Sequence, residues 1–552
     1  MDIEYLRGSP LAKPKYCLAP LSPQLETIAG YKALQTYFPT VADVFDIPSK
    51  KSHEFYFDTK WRIVGLDLSQ KGPRNGKCNV SLVANEGRDL SASLVPAYTK
   101  VTHLLDPVYW MQNKYSLPKE AGLPSPTKSW EQAWKKLQDT SNQAYVEVMA
   151  SYALGKLREK NLSPHFNHFY GSFCSIADTY MYDITEDIDS FRQMPWFWKG
   201  KRRGIYSVRV ENAGEPVTAK EVEDILGEGT STSSHVSSNH SADEVLDDID
   251  IGNGNLEIVS LHSDNLDDMS LAEESESESE FESGSEADYT IHASLKNFPV
   301  MLLCMEMNTG TMDKLLYEED NVIDQAKWVA WIFQIVAALT QAQSLFGFTH
   351  NDLHTNNIVY IDTEDEFIYY KSRAGQIWKV PTYGKIFRII DFGRSIFKLN
   401  DHYFISDDFG SDGVAEGQYQ FEPLVKNPTV VVAPNPSFDL CRLAVSLLEG
   451  LFPKPPKEKE GGSVLSEEGG LKICETESGL CNMLWEWMID DEGKNVFINP
   501  DGSERFPSFD LYRHIARHIH NAVPRVQLER VLFAEFKTDE APVDVTVYSL
   551  FI

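Results

Sequence analysis

Between residues 241 and 290 the chain carries 17 Asp and Glu and no Lys or Arg. No run of that composition folds into a packed core, because it holds too little apolar surface to offset the entropy of ordering it. The stretch therefore divides what can fold. Its surroundings share its Gly, Ser, Asp and Glu character, as in GEGTSTSSHVSSNHSADEV and EESESESEFESGSEAD, and the sequence predicts a disordered insertion over 217–290. It also supplies more than half of the formal net charge of −31. The other 502 residues come to −14, an ordinary acidic surface with no basic stripe to bind nucleic acid or an anionic membrane.

An apolar share of 42%, with 12% aromatic residues, is ample for a buried core on either side of that stretch. The cysteines at 17, 78, 174, 304, 441, 474 and 481 form no C-x-x-C pair and no Cys/His cluster at zinc spacing. A reducing compartment fits them. The opening MDIEYLRGSP has no basic segment leading into an apolar one, and the longest apolar stretches fall short of a membrane span. The expectation is a soluble, intracellular protein, not secreted, with no transmembrane segment and neither membrane nor nucleic acid as partner. Oligomeric state is not legible.

Three β-like segments, Trp61–Leu68, Cys78–Ala84 and Leu90–Lys100, predict an antiparallel meander. From Asn142 to Lys160 the pattern turns helical, with Val146, Met149, Ala150, Ala153, Leu154 and Leu157 on one face, and a strand-like FNHFYGSFCSI follows. After the acidic stretch come FPVMLLCMEM, suited to a buried strand, and the helix start GTMDKLL. A long helix over Asp324–Leu345 follows, with Ile332, Ile335, Val336, Leu339 and Phe346 on one stripe. The rest to 552 reads as mostly helical, with a loop at 453–470. Strands gathered before helices predict an α+β class with two lobes. Residues 1–60 carry no legible chemistry.

The chemistry is concentrated in His350-Asn351-Asp352-Leu353-His354-Thr355-Asn356-Asn357-Ile358 and, further on, Ile389-Ile390-Asp391-Phe392-Gly393. The first resembles the protein-kinase catalytic loop H-R-D-L-x-x-x-N, with Asp and Asn five apart, and the second resembles D-F-G. Alone, a D-F-G is often a turn after a strand. Together, in this order, each beside a β-like run, the two resemble the protein-kinase-like superfamily, most closely the divergent kinases of large DNA viruses. The likeness covers roughly residues 61 to 530.

That resemblance implies a two-lobed protein-kinase-like fold with a small β-rich N-lobe and a larger helical C-lobe. It divides the chain into a 1–60 extension, an N-lobe over 61–310 with insertions at 101–141 and 177–296, a C-lobe over 311–540 and a tail over 541–552. ATP and Mg²⁺ are the implied cofactors, and cytoplasm or virion the place if the protein is viral. Phosphoryl transfer asks for an oriented acceptor hydroxyl and for metal ions that neutralise the phosphates. The resemblance gives the first task to Asp352 and the second to Asn357 and Asp391, with His350, Phe392 and Gly393 in support.

Lys100 in VPAYTKV, at a strand end, stands where the kinase lysine pairs with ATP phosphates, and Glu147 is its implied ion-pair partner across the 101–141 insertion. The bland alternative for Lys100 is a solvated charge. Met305, Glu306, Met307 and Asn308 resemble the hinge, where backbone groups bind adenine and side-chain identity matters little. Asp439 resembles the helix Asp that braces the catalytic loop through backbone N–H bonds; a plain helix N-cap is the alternative.

The main departure from the family is the missing G-x-G-x-x-G. Gly72 and Gly76 in SQKGPRNGK lie where such a loop would cover the phosphates, and an ordinary hairpin is the alternative. Asn351 stands where Arg usually receives an activation-loop phosphate, so activity is not expected to depend on phosphorylation of 393–422, which also lacks A-P-E. His354 stands where protein kinases often carry Lys; it resembles the loops of haspin-like and small-molecule kinases. The expectation is a serine/threonine protein kinase acting on protein substrates. Its rivals are a small-molecule kinase like the aminoglycoside or choline phosphotransferases, and a pseudokinase binding module. Ser275, Ser277 and Ser279 in the acidic stretch read as part of an inert linker or as regulatory phosphorylation sites.

Overall fold

The computed structural model describes residues 15–552 apart from 27, 69–74, 86–90, 116–122, 125–130, 213–214, 228–288, 319–322, 412, 455, 458, 460–474 and 500–502. The chain is mixed α+β with several sheets and divides into two compact units, Met1–Tyr180 with Lys296–Ile552, and Met181–Leu295.

In the larger unit the expected meander forms from Trp61–Leu68 (β1), Gly76–Ala84 (β2) and Ser93–His103 (β3), paired antiparallel with Leu66 opposite Val80 and Val80 opposite Val95. Along β2 the residues Cys78, Val80 and Leu82 are buried while Lys77 and Asn79 face water, the period-2 pattern of a half-buried strand. The sheet continues from β3 to Tyr289–Glu306 (β5), then Phe169–Asp183 (β4), then the edge strand Tyr31–Gln35. Lys100 lies opposite Leu303, so β3 runs on past the point where its sequence was expected to end.

The helix Gln143–Glu159 (α1) starts at Asn142, whose side chain caps the Ala144 N–H at 3.1 Å. Gly155 lets it touch β4, since a Cβ there would come within 2.9 Å of the Phe169 Cβ. Its outer side is covered by residues from the first sixty. Phe38 stacks on Tyr145 at 5.0 Å and Phe57 lies 4.6 Å from Tyr152. Each such aromatic pair adds about 0.5–1.5 kcal/mol beyond its burial.

The second long helix, Gln325–Phe346 (α2), is capped by Asp324 and ended by Gly347 in the left-handed region. A single apolar stripe was expected, but the helix is buried on nearly every side. Even its Gln334 is engaged, donating to Lys385 O and accepting from Phe387 N, both at 3.0 Å. Among the described residues α2 is the one helix long and apolar enough to cross a membrane, and 89% of that stretch is buried within the protein.

What covers the far side of α2 is a correction to the expectation of a mostly helical C-terminal region. Ile358–Asp362 (β6) pairs with Lys385–Ile389 (β9), the two runs beside the motifs that read as β-like, while in a separate sheet the unexpected strands Phe367–Lys371 (β7) and Ile377–Pro381 (β8) form a hairpin closed near Gly375, whose φ is +95°. Aromatic and β-branched residues in FIYYK and IWKVP favour strand over helix. Val547–Ser549 pairs parallel with β7, so the segment set apart as a tail at 541–552 belongs to this sheet. Phe438–Leu451 (α3) and Asp510–His518 (α4) complete the helices that matter below.

The smaller unit nearly coincides with the expected 177–296 insertion. In it Tyr206–Asn212 pairs antiparallel with residues 289–295, and the Tyr206 hydroxyl bonds Phe197 O at 2.6 Å. Of the segment expected to be disordered over 217–290, residues 228–288, with Ser275, Ser277 and Ser279, lie outside the described residues. Ala219–Leu226 is helical, which corrects its near end. The expected loop at 453–470 also falls largely outside them.

Candidate functional site

Lys100 is no solvated charge. Its Nζ lies 2.6 Å from Glu147 Oε1 and 2.9 Å from Asp391 Oδ1, joining β3, α1 and the chain after β9 in one contact. The Glu147 side chain is 3% exposed and also accepts from Thr102 Oγ1 at 3.3 Å, whereas that of Asp391 is 42% exposed and opens to solvent. Burial works against the Lys100 ammonium, but Asp391 and Glu147 together outweigh it and hold its pKa above the ordinary lysine range. Burial likewise works against the Asp391 carboxylate, and Lys100 overcomes it, leaving the group below its usual range. Burial raises Glu147, with Lys100 opposing.

The two motif loops are laced together. His350 donates from Nε2 to Ile390 O at 2.8 Å and accepts from Asp352 N at Nδ1, 3.3 Å away, which fixes its tautomer. Its ring lies edge-on to Phe392 at 5.7 Å. Ile390 N donates to Asn357 O at 3.0 Å. Asn351 and Asp391 both adopt φ of +65°. For Asp391 this is a conformation costing about 1–3 kcal/mol, held by its surroundings. Gly393 packs closely on α1, since a Cβ there would meet the Gln143 side chain at 3.0 Å and that side chain would have to shift.

Asn357 donates from Nδ2 to Asp352 O at 2.9 Å and lies 3.1 Å from His354 Nε2. With the amide nitrogen so committed, the amide oxygen is the atom left to face a cation. Burial pulls His354 below the ordinary histidine range, so its imidazole is neutral near pH 7 and accepts from Asn357. Among the described residues no three His, Cys, Asp or Glu gather as a metal cage. Mg²⁺ does not require one: it keeps several waters and takes one or two protein oxygens beside substrate phosphates, a demand that Asp391 and Asn357 fit.

Asp439 settles its own alternatives. The cap of α3 is Ser437, while the fully buried Asp439 carboxylate accepts from His350 N at 2.9 and 3.1 Å and from Asn351 N at 2.9 Å. Asp439→Ala leaves two buried N–H groups without acceptors. It is expected to cost about 2–4 kcal/mol, read as a lower urea midpoint, with Asp439→Asn recovering part of the loss. An unchanged midpoint for Asp439→Ala would show that the brace carries no stability.

Two side chains that meet Asp352, and a third that supports one of them, were invisible in the sequence. Tyr512 from α4 donates its hydroxyl to Asp352 Oδ1 at 2.9 Å, and Arg442 Nε donates to that hydroxyl at 3.0 Å. Burial, then Asp352, raises the phenol's pKa, so it stays protonated and donates. Arg394 Nη1 is 3.5 Å from Asp352 Oδ2. Asn351 points inward instead, donating to Arg394 O at 2.9 Å and accepting from Tyr419 at 2.6 Å.

Met305 and Glu306 end β5, and Met307 and Asn308 follow in the link to the next strand. Met305 lines a narrow pocket with Ser151, Leu154, Ile390, Asp391 and Phe392. Two of these side chains have a structural task. The fully buried Arg388 pairs with Glu306 Oε2 at 3.1 Å and donates to Asn308 Oδ1 at 3.2 Å and Asn167 Oδ1 at 3.3 Å. Leaving a buried guanidinium unpaired is costly, so Glu306 is bound to this place. Of the two glycines expected over the phosphates, Gly72 lies outside the described residues. Gly76 opens β2 opposite Thr99 with nothing within 4 Å of a Cβ, so the fold does not demand glycine there. Its neighbour Asn75 instead accepts from Val101 N at 2.7 Å, tying the hairpin to β3 beside Lys100.

Compared with known proteins, the chain matches no family model and none of the curated sequences.

Proposed function

We propose that this chain is an ATP- and Mg²⁺-dependent phosphotransferase of protein-kinase-like, two-lobed architecture that acts on a hydroxyl, in the first instance a serine/threonine protein kinase. One observation carries the reading: Lys100 bridges Glu147 and Asp391 while the loop holding Asp352 and Asn357 is hydrogen-bonded to the loop holding Asp391. A charged amine, an exposed carboxylate and an amide oxygen beside a second carboxylate are the groups phosphoryl transfer requires. The meander before residue 103 and the helices after 325 support the two-lobed reading.

In this reading Lys100 holds phosphate oxygens, and Glu147 keeps the ammonium in place. Asp391 and Asn357 hold Mg²⁺, which neutralises charge on the phosphates. Asp352 accepts a hydrogen bond from the acceptor hydroxyl and orients it for attack. His350, Asn351 and Asp439 fix the backbone of that loop. The site sits partly behind buried side chains, where charge–charge interactions are stronger than in water.

Calorimetric titration with ADP is expected to show binding with Mg²⁺ present and at least about tenfold weaker binding with EDTA, since part of the affinity runs through the cation. Labelled ATP offered with protein, peptide and small-alcohol acceptors should label the protein or peptide. Labelling of the alcohol alone would make the chain a small-molecule kinase. Absence of nucleotide heat at millimolar concentration would leave only a binding module without nucleotide.

A further inference from the structure

Resting on that reading, we propose that Asp407 and Asp408 hold the site in its assembled geometry without covalent modification, Asp407 as a positioning residue for α1 and Asp408, through Arg394, for Asp352. Protein kinases of the ordinary kind order this region by phosphorylation, the new phosphate pairing with arginine. Here the arginine's place is taken by the buried, uncharged Asn351, already engaged by Tyr419 and Arg394 O. The negative charge is nevertheless present in the chain itself.

Asp407 reaches α1 at its first residue. Its Oδ1 accepts from Gln143 N at 3.0 Å, its Oδ2 pairs with Lys136 of the helix Glu131–Gln138, and its own N–H donates to Ser141 O at 2.7 Å. A carboxylate at a helix N-terminus is favoured by the unsatisfied N–H groups and the helix dipole. Glu147 sits four residues along the same helix, on the same face as Gln143. Fixing Gln143 therefore fixes the carboxylate that meets Lys100.

The next residue faces the other way. Asp408 Oδ2 is buried without a hydrogen-bond partner, 3.7 Å from Arg394 Nε, and Arg394 Nη1 is in turn 3.5 Å from Asp352 Oδ2. Burial, opposed by Arg394, pushes Asp408 up to about 6. A poorly solvated carboxyl facing a guanidinium that also faces Asp352 is an arrangement found at functional sites as well as in structural ion-pair networks. The turn that presents the pair is tightly folded. Ala415 N donates to Asp408 O at 2.8 Å, and a Cβ at Gly413 would collide with that oxygen at 2.2 Å and with Asp407 O at 2.7 Å. The two carboxylates thus stand at fixed positions facing α1 on one side and the catalytic loop on the other.

The test uses the full chain with two independent readouts. Amide hydrogen exchange at residues 143–150 is expected to rise on the order of tenfold in Asp407→Asn, and to stay near wild type in Asp407→Glu, which keeps the charge. This readout stands whether or not transfer is detected, so it judges the latch separately from the phosphotransferase reading. Where transfer is measured, Asp407→Asn and Lys136→Ala should each lower kcat about tenfold with little change in ADP affinity. The double variant should fall no further, because both act on one contact. Phosphatase treatment of the wild type should leave kcat unchanged. Unaltered exchange in Asp407→Asn, or a loss of activity on dephosphorylation of 393–422, would overturn the proposal.

Discussion

Asp391→Ala is expected to lower phosphoryl transfer by at least about a thousandfold while leaving most of the fold's stability in place. The side chain is 42% exposed and makes one strong contact, with Lys100, which keeps Glu147 when Asp391 is gone. On the proposed reading the loss therefore falls on the reacting phosphate and its cation rather than on the core. Because φ at 391 is +65°, alanine adds strain of about 1–2 kcal/mol. Asparagine tolerates that conformation and is the cleaner companion variant. Asp352→Ala should give a similar loss with the ATP dependence little changed, since on the proposed reading Asp352 serves the acceptor hydroxyl. Single-turnover rates on well-folded protein decide the matter, and turnover within about tenfold of wild type in either variant would refute the site assignment.

Lys100→Met is expected to cost stability as well as transfer. It strands the Glu147 carboxylate, 3% exposed, beside Asp391, and breaking a buried pair from one side costs about 3–5 kcal/mol. The pH dependence follows from the signs. In the wild type the raised Lys100 pKa means its stabilisation is complete below the ordinary lysine pKa and fades only as pH rises through the folded value. The lowered Asp391 pKa means its share is present above the ordinary aspartate pKa and fades as pH falls through the folded value. Without Lys100 the Glu147 carboxyl, already raised by burial, takes up a proton more readily in the folded state, so the variant gains stability as pH falls. The gap in Tm between wild type and Lys100→Met should therefore be wider at pH 8 than at pH 5. Lys100→Met with Glu147→Leu should regain most of the Tm and none of the transfer. A double variant as unstable as the single one would show that the pair is not what Lys100 stabilises.

Much of this site was legible because its residues are neighbours in sequence. A loop must place Asp352 and Asn357 five residues apart whatever surrounds it, and Asp391-Phe392-Gly393 is contiguous. Lys100 and Glu147 were reached through the resemblance, which asks for a lysine on a strand and a glutamate on the helix after it. The meander and both long helices followed from period-2 and period-3.6 patterns.

What stayed hidden depends on long-range contacts. Tyr512 reaches Asp352 across 160 residues, and Asp407 reaches Gln143 across 264. A tyrosine in a helix or an aspartate in a loop carries no local sign of such a partner. The β7–β8 hairpin was missed because it is short and the apolar runs in it read equally well as helix, whereas the runs beside the two motifs read as β-like and are strands. The Arg388–Glu306 pair stayed hidden for a different reason: Arg388 lies inside the β-like KIFRII, where a charge with full burial is rare without a partner, and that mismatch was the one available signal.

The aromatic cover on α1 bears on where an autonomous folding unit can be cut. Motif boundaries would place its start at residue 61, yet Phe38 and Phe57 pack directly on Tyr145 and Tyr152, on the helix that carries Glu147. A fragment trimmed at 61 would present those tyrosines to water and leave the Lys100 partner on a helix missing one wall. On the proposed reading, the minimal catalytic fragment therefore has to include a segment with no chemistry of its own, because Phe38 and Phe57 wall the helix that holds Glu147.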